Sequence, residues 1–162
     1  MKEISLAECQ FTSATLTTFV QSVRWDTAAL NSLTVDSTGN MKSQKTYTLT
    51  AGEDQIQLSE KNLGSADVAL IAAWLQRPEV SAAMNSLTLD MNGIFGELYS
   101  SGNVKEADKF ADECDPFLAA LKISNIATLS LRSTGIGPVA LQKLATSLPA
   151  ALNLLTLSSI GG

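Results

Sequence analysis

The stretch "IATLSLRSTGIGPVALQKLATSL" (126–148) is followed, three residues later, by "LNLLTLSSIGG" (152–162). Leu129 and Leu131 alternate with Ser130 and Arg132, as a short half-buried strand requires. "STGIG" is a polar turn, and Pro138 after Gly137 stands where the first residue of a helix tolerates proline. Leu141, Leu144 and Leu148 are spaced to share one side of that helix. A second Leu-x-Leu strand then begins at Leu155. The pair reads as strand, turn, helix, strand.

The same sentence recurs along the whole chain. Its strands read "ISLAECQF" (4–11), "LTVDSTGN" (33–40), "IQLSEKNLG" (56–64), "LTLDMNGI" (87–94), "LSLRSTGI" (129–136) and "LTLSSI" (155–160). Their second apolar residues, Leu6, Val35, Leu58, Leu89, Leu131 and Leu157, lie 29, 23, 31, 42 and 26 residues apart. Helical patterns fill the intervals. "TSATLTTFVQSV" offers Thr12 or Ser13 as N-cap, and "GSADVALIAAWLQRP" offers Ser65, with Asp67 in the first turn and Pro78 limiting the helix. Val68, Ile71, Trp74 and Leu75 share a face there, and "CDPFLAALKI" places Asp115 before Pro116 at a helix start. Alternating strands and helices predict a parallel sheet covered by helices.

These strands resemble the leucine-rich repeats of the long, ribonuclease-inhibitor-like kind, written Leu-x-x-Leu-x-Leu-x-x-Asn/Cys-x-Leu before a helix. Met84, Leu87, Leu89, Asn92 and Ile94 match it, as do Ile126, Leu129, Leu131, Thr134 and Ile136. Ile4, Leu6, Cys9 and Phe11 fit from its second apolar position onward. The resemblance implies an α/β solenoid of about six irregular repeats in a single domain, 1–162. At the Asn/Cys position a side chain satisfies backbone groups of the turn. Cys9 is therefore expected as a buried turn residue. Thr38 and Thr134 are weaker versions, and Lys61 breaks the pattern with Asn62 displaced by one.

Two intervals depart from the period. "KTYTLTAGEDQIQLS" (45–59) alternates on both sides of "AGED", which predicts a β-hairpin insertion. The longest interval holds about a dozen residues beyond the usual period. They fall in "GIFGELYSSGNVKEADKF" (93–110), which reads as a surface loop, and long loops on rigid scaffolds often carry function.

Composition narrows the function. There is no His among the 162 residues, which removes Ser-His-Asp and Cys-His nucleophile systems and most zinc sites. "STGIGP" lacks the Lys-Ser/Thr of a phosphate loop. "DKFADECD" (108–115) lacks the alternating ligands and Gly of a calcium loop, and adjacent acids such as Glu53–Asp54 read as solvated charge. Cys114 stands among Asp112, Glu113 and Asp115, whose charges oppose a thiolate. The chain is expected to be no enzyme and to need no cofactor. A net charge of −5 with scattered Lys and Arg offers no stripe for nucleic acid. No apolar run is long enough to cross a membrane. Two cysteines are too few for a disulfide framework, and no leader is evident at the start, so a cytoplasmic setting is expected.

What remains is a surface for a protein partner. Residues between the strand leucines face outward in two rows: Ser5, Thr34, Gln57, Thr88, Ser130, Thr156, and Ala7, Asp36, Ser59, Asp90, Arg132, Ser158. Thr88, Asp90, Ser130 and Arg132 are the candidates on this face. Phe95 and Tyr99 in the long loop are the candidate anchors, because aromatic side chains supply contact energy the strand rows lack. Trp25 and Trp74 are expected in the core. The family resemblance implies recognition or scaffolding of proteins; regulation of an enzyme such as a GTPase, or a purely structural segment, are the rivals. Leu152, Leu155 and Leu157 have a neighbouring unit on one side only, so a homodimer through this edge, or a chain cut from a longer array, is a further expectation.

Overall fold

The computed structural model describes residues 2–9, 12–25, 30–40, 44–99 and 101–157. Phe11, and residues 158–160 of the expected strand "LTLSSI" with Ser158, lie outside them. Among the described residues the fold is mixed α/β, with three sheets and five helices.

The four-stranded sheet orders β4 (Gln55–Gln57), β5 (Ser86–Thr88), β8 (Thr128–Ser130) and β9 (Leu154–Thr156) as they occur in the chain, all parallel. Ile56, Leu87, Leu129 and Leu155 fall in one register row. Leu58, Leu89 and Leu131 continue the pairing, donating their N–H groups to Thr88, Ser130 and Thr156 at 2.9–3.0 Å. Three residues are too few for a stable strand alone. Their leucines supply the cohesion: Leu87, Leu89, Leu129 and Leu131 are buried, each burial contributing roughly 1.5–3 kcal/mol.

Helices α2 (Ser65–Leu75), α3 (Pro78–Ala83), α4 (Asp115–Lys122) and α5 (Pro138–Ala145) lie between these strands in the chain. Their inward faces carry Val68, Ile71, Trp74, Leu75, Phe117, Leu121 and Leu144, all buried. Leu148 packs half-buried on the core, but Leu141 is exposed and Ala140 takes the inward position instead. The α2 N-cap is Gly64 rather than Ser65, because Asp67 reaches back to accept the Gly64 N–H at 2.9 Å. Pro78 does end that helix, and it starts α3. Asp115 is itself the first residue of α4.

The second sheet orders β1 (Lys2–Leu6), β2 (Leu30–Asp36) and β3 (Thr46–Thr50). Helix α1 (Ser13–Ser22) connects the parallel pair β1–β2, capped by Thr12 Oγ1 accepting the Thr15 N–H. The expected hairpin between 46–50 and 55–59 does not form. β3 runs antiparallel to β2, pairing Thr48 with Thr34, while β4 joins the other sheet. Alternation encodes which face a strand buries, not which neighbour it pairs with. "AGED" carries the chain between sheets: Gly52 adopts φ +87°, and the Asp54 carbonyl accepts the Asn85 and Ser86 N–H groups ahead of β5.

Cys9 is exposed, contrary to its expected burial. The turn after β1 is secured by Asp36 Oδ1, which accepts the Glu8 N–H at 2.9 Å, so no thiol is needed there. Trp74 is buried and Trp25 packs edge-on against it, with ring centroids 6.3 Å apart. Among the described residues, no helix is long and apolar enough to cross a membrane.

The leucine row makes the fold testable. Leu131→Ala should cost about 2–5 kcal/mol by opening a cavity in the core. Chemical denaturation of the two proteins measures it, and a variant with the wild-type midpoint would refute the packing described.

Candidate protein-binding surface

The long interval between β5 and β8 is not a free loop. It folds as a two-stranded antiparallel ribbon, β6 (Glu97–Leu98) and β7 (Val104–Glu106), whose root is fixed to the next unit. Phe95 donates its N–H to the Thr134 carbonyl at 2.9 Å and accepts from the Phe110 N–H at 2.9 Å. Gly96 and Gly135 pass in backbone contact; a Cβ at Gly135, whose φ is +83°, would lie 2.4 Å from the Gly96 nitrogen. Asp108 caps α5 from outside, accepting the Gly137 and Ala140 N–H groups at Oδ1 and the Val139 N–H at Oδ2, all within 2.9 Å.

This placement corrects half of the aromatic pair. Phe95 is fully buried and belongs to the core. An apolar side chain three residues after Asn92 and beside the backbone crossing has nowhere to go but inward. Tyr99 is 55% exposed at the far end of the ribbon, with the Lys105 ammonium 5.9 Å from its ring. Glu97 bridges Lys109 at 2.5 Å and Lys105 at 2.9 Å, and these two hydrogen bonds pull its carboxyl down to about 2.

The strand-face candidates do come together. Thr88, Ser130 and Thr156 are register neighbours on β5, β8 and β9. Asp90 Oδ1 accepts the Ser130 hydroxyl at 2.7 Å and the Arg132 N–H at 2.8 Å. The acid in this row therefore stitches two units together, as Asp36 does for the turn at Glu8. Arg132 is exposed.

Between the ribbon and the turns of the preceding units lies a cleft of about 900 Å³. Leu63, Met91, Leu98, Tyr99 and Phe110 line it, with Lys45 and Lys105 among its polar residues. Met91 is 38% exposed, and its N–H bonds the Arg132 carbonyl at 2.8 Å, so the cleft adjoins the strand face directly. Met91, Leu98 and Lys105 were not distinguishable as site residues in the sequence. The one available signal was Met91 itself, an apolar residue inside the polar turn "DMN". A second groove, of about 630 Å³, crosses the alanines of α2 between α1 and α4, with Trp25 and Pro116 among its walls.

Nucleophilic chemistry finds no support at Cys114. Burial, then the charges of Glu113 and Asp115, push the thiol up to about 12, and Sγ donates to the Ile94 carbonyl at 3.2 Å. Among the described residues, no group of three or more Cys, Asp or Glu side chains is arranged to hold a metal ion.

The two aromatic residues should now behave oppositely. Phe95→Ala is expected to lose about 3–5 kcal/mol of stability. Tyr99→Ala is expected to stay within about 0.5 kcal/mol of the parent. Thermal melts of the two variants decide it; equal losses would mean that the ribbon is not rooted as described.

Comparison with protein-family models, with curated proteins and with solved structures finds no match.

Proposed function

We propose that the chain is a non-catalytic protein-recognition module, a leucine-rich-repeat-like solenoid that binds a protein partner beside the carboxyl ends of β5 and β8. The observation that carries this reading is Tyr99, an exposed aromatic residue on a ribbon whose root is bolted to the fold. A rigidly presented tyrosine loses little conformational freedom on binding, which is why such residues anchor interfaces. Thr88, Asp90, Ser130 and Arg132 supply the adjoining polar surface, and Met91 with Leu98 an apolar floor. Solenoid geometry is supported by the chain-order parallel strands and by the buried Asn92 at the turn position. The two cysteines, neither in a disulfide, suit a reducing cytoplasmic setting.

A second reading is a homodimer through β9. Leu154 is 54% exposed on it, and the strand pairs on one side only among the described residues.

A photo-crosslinking amino acid at position 99, compared with one at the exposed Leu141 on the helix side, tests the main reading. A single protein captured from the source cell at position 99 and not at 141 is the expected result. With that partner purified, Tyr99→Ala combined with Arg132→Ala should weaken binding by about 30-fold or more, the loss of roughly 2 kcal/mol typical of an anchor. Capture only at 141 would move the interface to the helices. Light scattering over a concentration series checks the dimer, which Leu154→Lys should abolish.

A further inference from the structure

Asp67 is fully buried at the start of α2, and its carboxylate accepts four hydrogen bonds. Oδ2 takes the Thr38 N–H at 2.8 Å, the Thr38 hydroxyl at 2.8 Å and the Gly64 N–H at 2.9 Å. Oδ1 takes the Tyr47 hydroxyl at 2.7 Å. One side chain thus joins three segments distant in the chain: the turn after β2, strand β3, and the helix N-terminus. Tyr47 and Thr38 are themselves buried. We propose that this group is a pH-responsive clamp, in which mild acidification protonates Asp67 and reverses its hydrogen bond to Tyr47.

The reversal follows from donor counting. An ionised carboxylate only accepts, and all four of its neighbours here donate. A proton on Oδ2 would have to be donated to the Thr38 oxygen between two N–H groups that can only donate, whereas a proton on Oδ1 faces the Tyr47 oxygen alone, so Oδ1 is the less opposed position. The phenol hydrogen must then turn away from Asp67 into a buried region, and the tie that holds β3 against α2 loses its charge-assisted strength. Burial raises the Asp67 carboxyl above its ordinary value, against the opposing bonds from Gly64, Tyr47 and Thr38. Burial, followed by the Asp67 charge, holds the Tyr47 phenol well above its own ordinary value, so Tyr47 stays protonated throughout.

Few other charges reach this site. Helix α1, packed beside α2, carries no titratable side chain between Ser13 and Ser22. Asp36 is turned to the Glu8 N–H and the Thr46 hydroxyl, and Lys45 Nζ donates to the Glu60 carbonyl. Lys61 follows Glu60 in the same turn, half-buried. Across from the helix start, Glu113 accepts the Ser65 hydroxyl at 3.0 Å, and Asp112 and Asp115 pair with Lys143. The clamp stands on the fold alone and does not require the proposed binding surface. It does place a proton-sensitive contact next to Gly39 and Asn40, which line the cleft.

Because the folded-state value lies above the unfolded one, relief of the buried charge outweighs the weakened tie, and protonation adds net stability. That gain is fully present below the unfolded value and is lost as pH rises through the folded one. Carbon-13 NMR of the aspartate carboxyls, between pH 3 and 8, reads the group directly. The Asp67 signal should titrate above the ordinary aspartate value of about 3.9, with the Thr38 and Gly64 amides following the same midpoint. Tyr47→Phe removes a donor to the ionised form and should move that midpoint upward. In parallel, the wild-type melting temperature should rise relative to Asp67→Asn as pH falls through the same window. If Asp67→Asn does not fold, the Tyr47→Phe titration alone decides. An Asp67 midpoint at or below the ordinary value, or one that Tyr47→Phe leaves unmoved, overturns the clamp.

Discussion

A single buried amide holds the middle of the molecule together. Asn92 Oδ1 accepts the N–H groups of Lys61 and Leu63, both at 3.0 Å, from the turn of the preceding unit. Its Nδ2 donates to the carbonyls of Leu58, Leu89 and Asp90 at 2.8–3.2 Å. Apart from the Asp90 carbonyl, which also takes the Glu60 N–H at 3.0 Å, these partners are backbone leaving a strand, where a buried polar group left unpaired costs roughly 1–3 kcal/mol. Only a side chain with both a donor and an acceptor meets that demand. Asn92 thus ties together the turns that follow β4 and β5.

The units that lack this asparagine solve the same problem differently. At Thr134 the hydroxyl covers one carbonyl, that of Leu131, and the ribbon does the rest through the Phe95 N–H. At Thr38 the hydroxyl points forward instead, to the carboxylate of Asp67 at the next helix. Asn62, one place late, accepts the Asn40 N–H and donates to the Asn40 carbonyl. Each substitution moves the missing hydrogen bonds to a segment outside the unit. This is why the two irregular regions, β3 and the ribbon, sit beside the two threonine turns.

The ribbon shows how an insertion becomes part of a fold. Its root adds Phe95 to the core and Asp108 to the start of α5, so removing it would expose a helix end as well as a cavity. What projects beyond the root is Tyr99 and the ion pairs around Glu97. Rigidity at the base and an exposed aromatic residue at the tip are the two features on which the proposed recognition surface rests.

The sequence alone determined much of this. Leucine alternation identified the buried faces of β5 and β8 and the half-buried face of β9, and proline with glycine located the start of α5, because face and capping are local properties of a few residues. It also separated Trp74 and the α2 face from solvent, and it singled out Asn92, Asp90 and Tyr99. Tertiary structure alone decided the rest. β3 pairs with β2 and not with β4, and its Tyr47 reaches Asp67, twenty residues away, a contact no local pattern encodes. Whether Phe95 is an anchor or core depends on where Gly96 crosses Gly135. Cys9 is exposed because Asp36, from the next unit, already satisfies its turn. Local pattern states what a residue prefers to bury, and only the assembled chain states which partner is near enough to satisfy it.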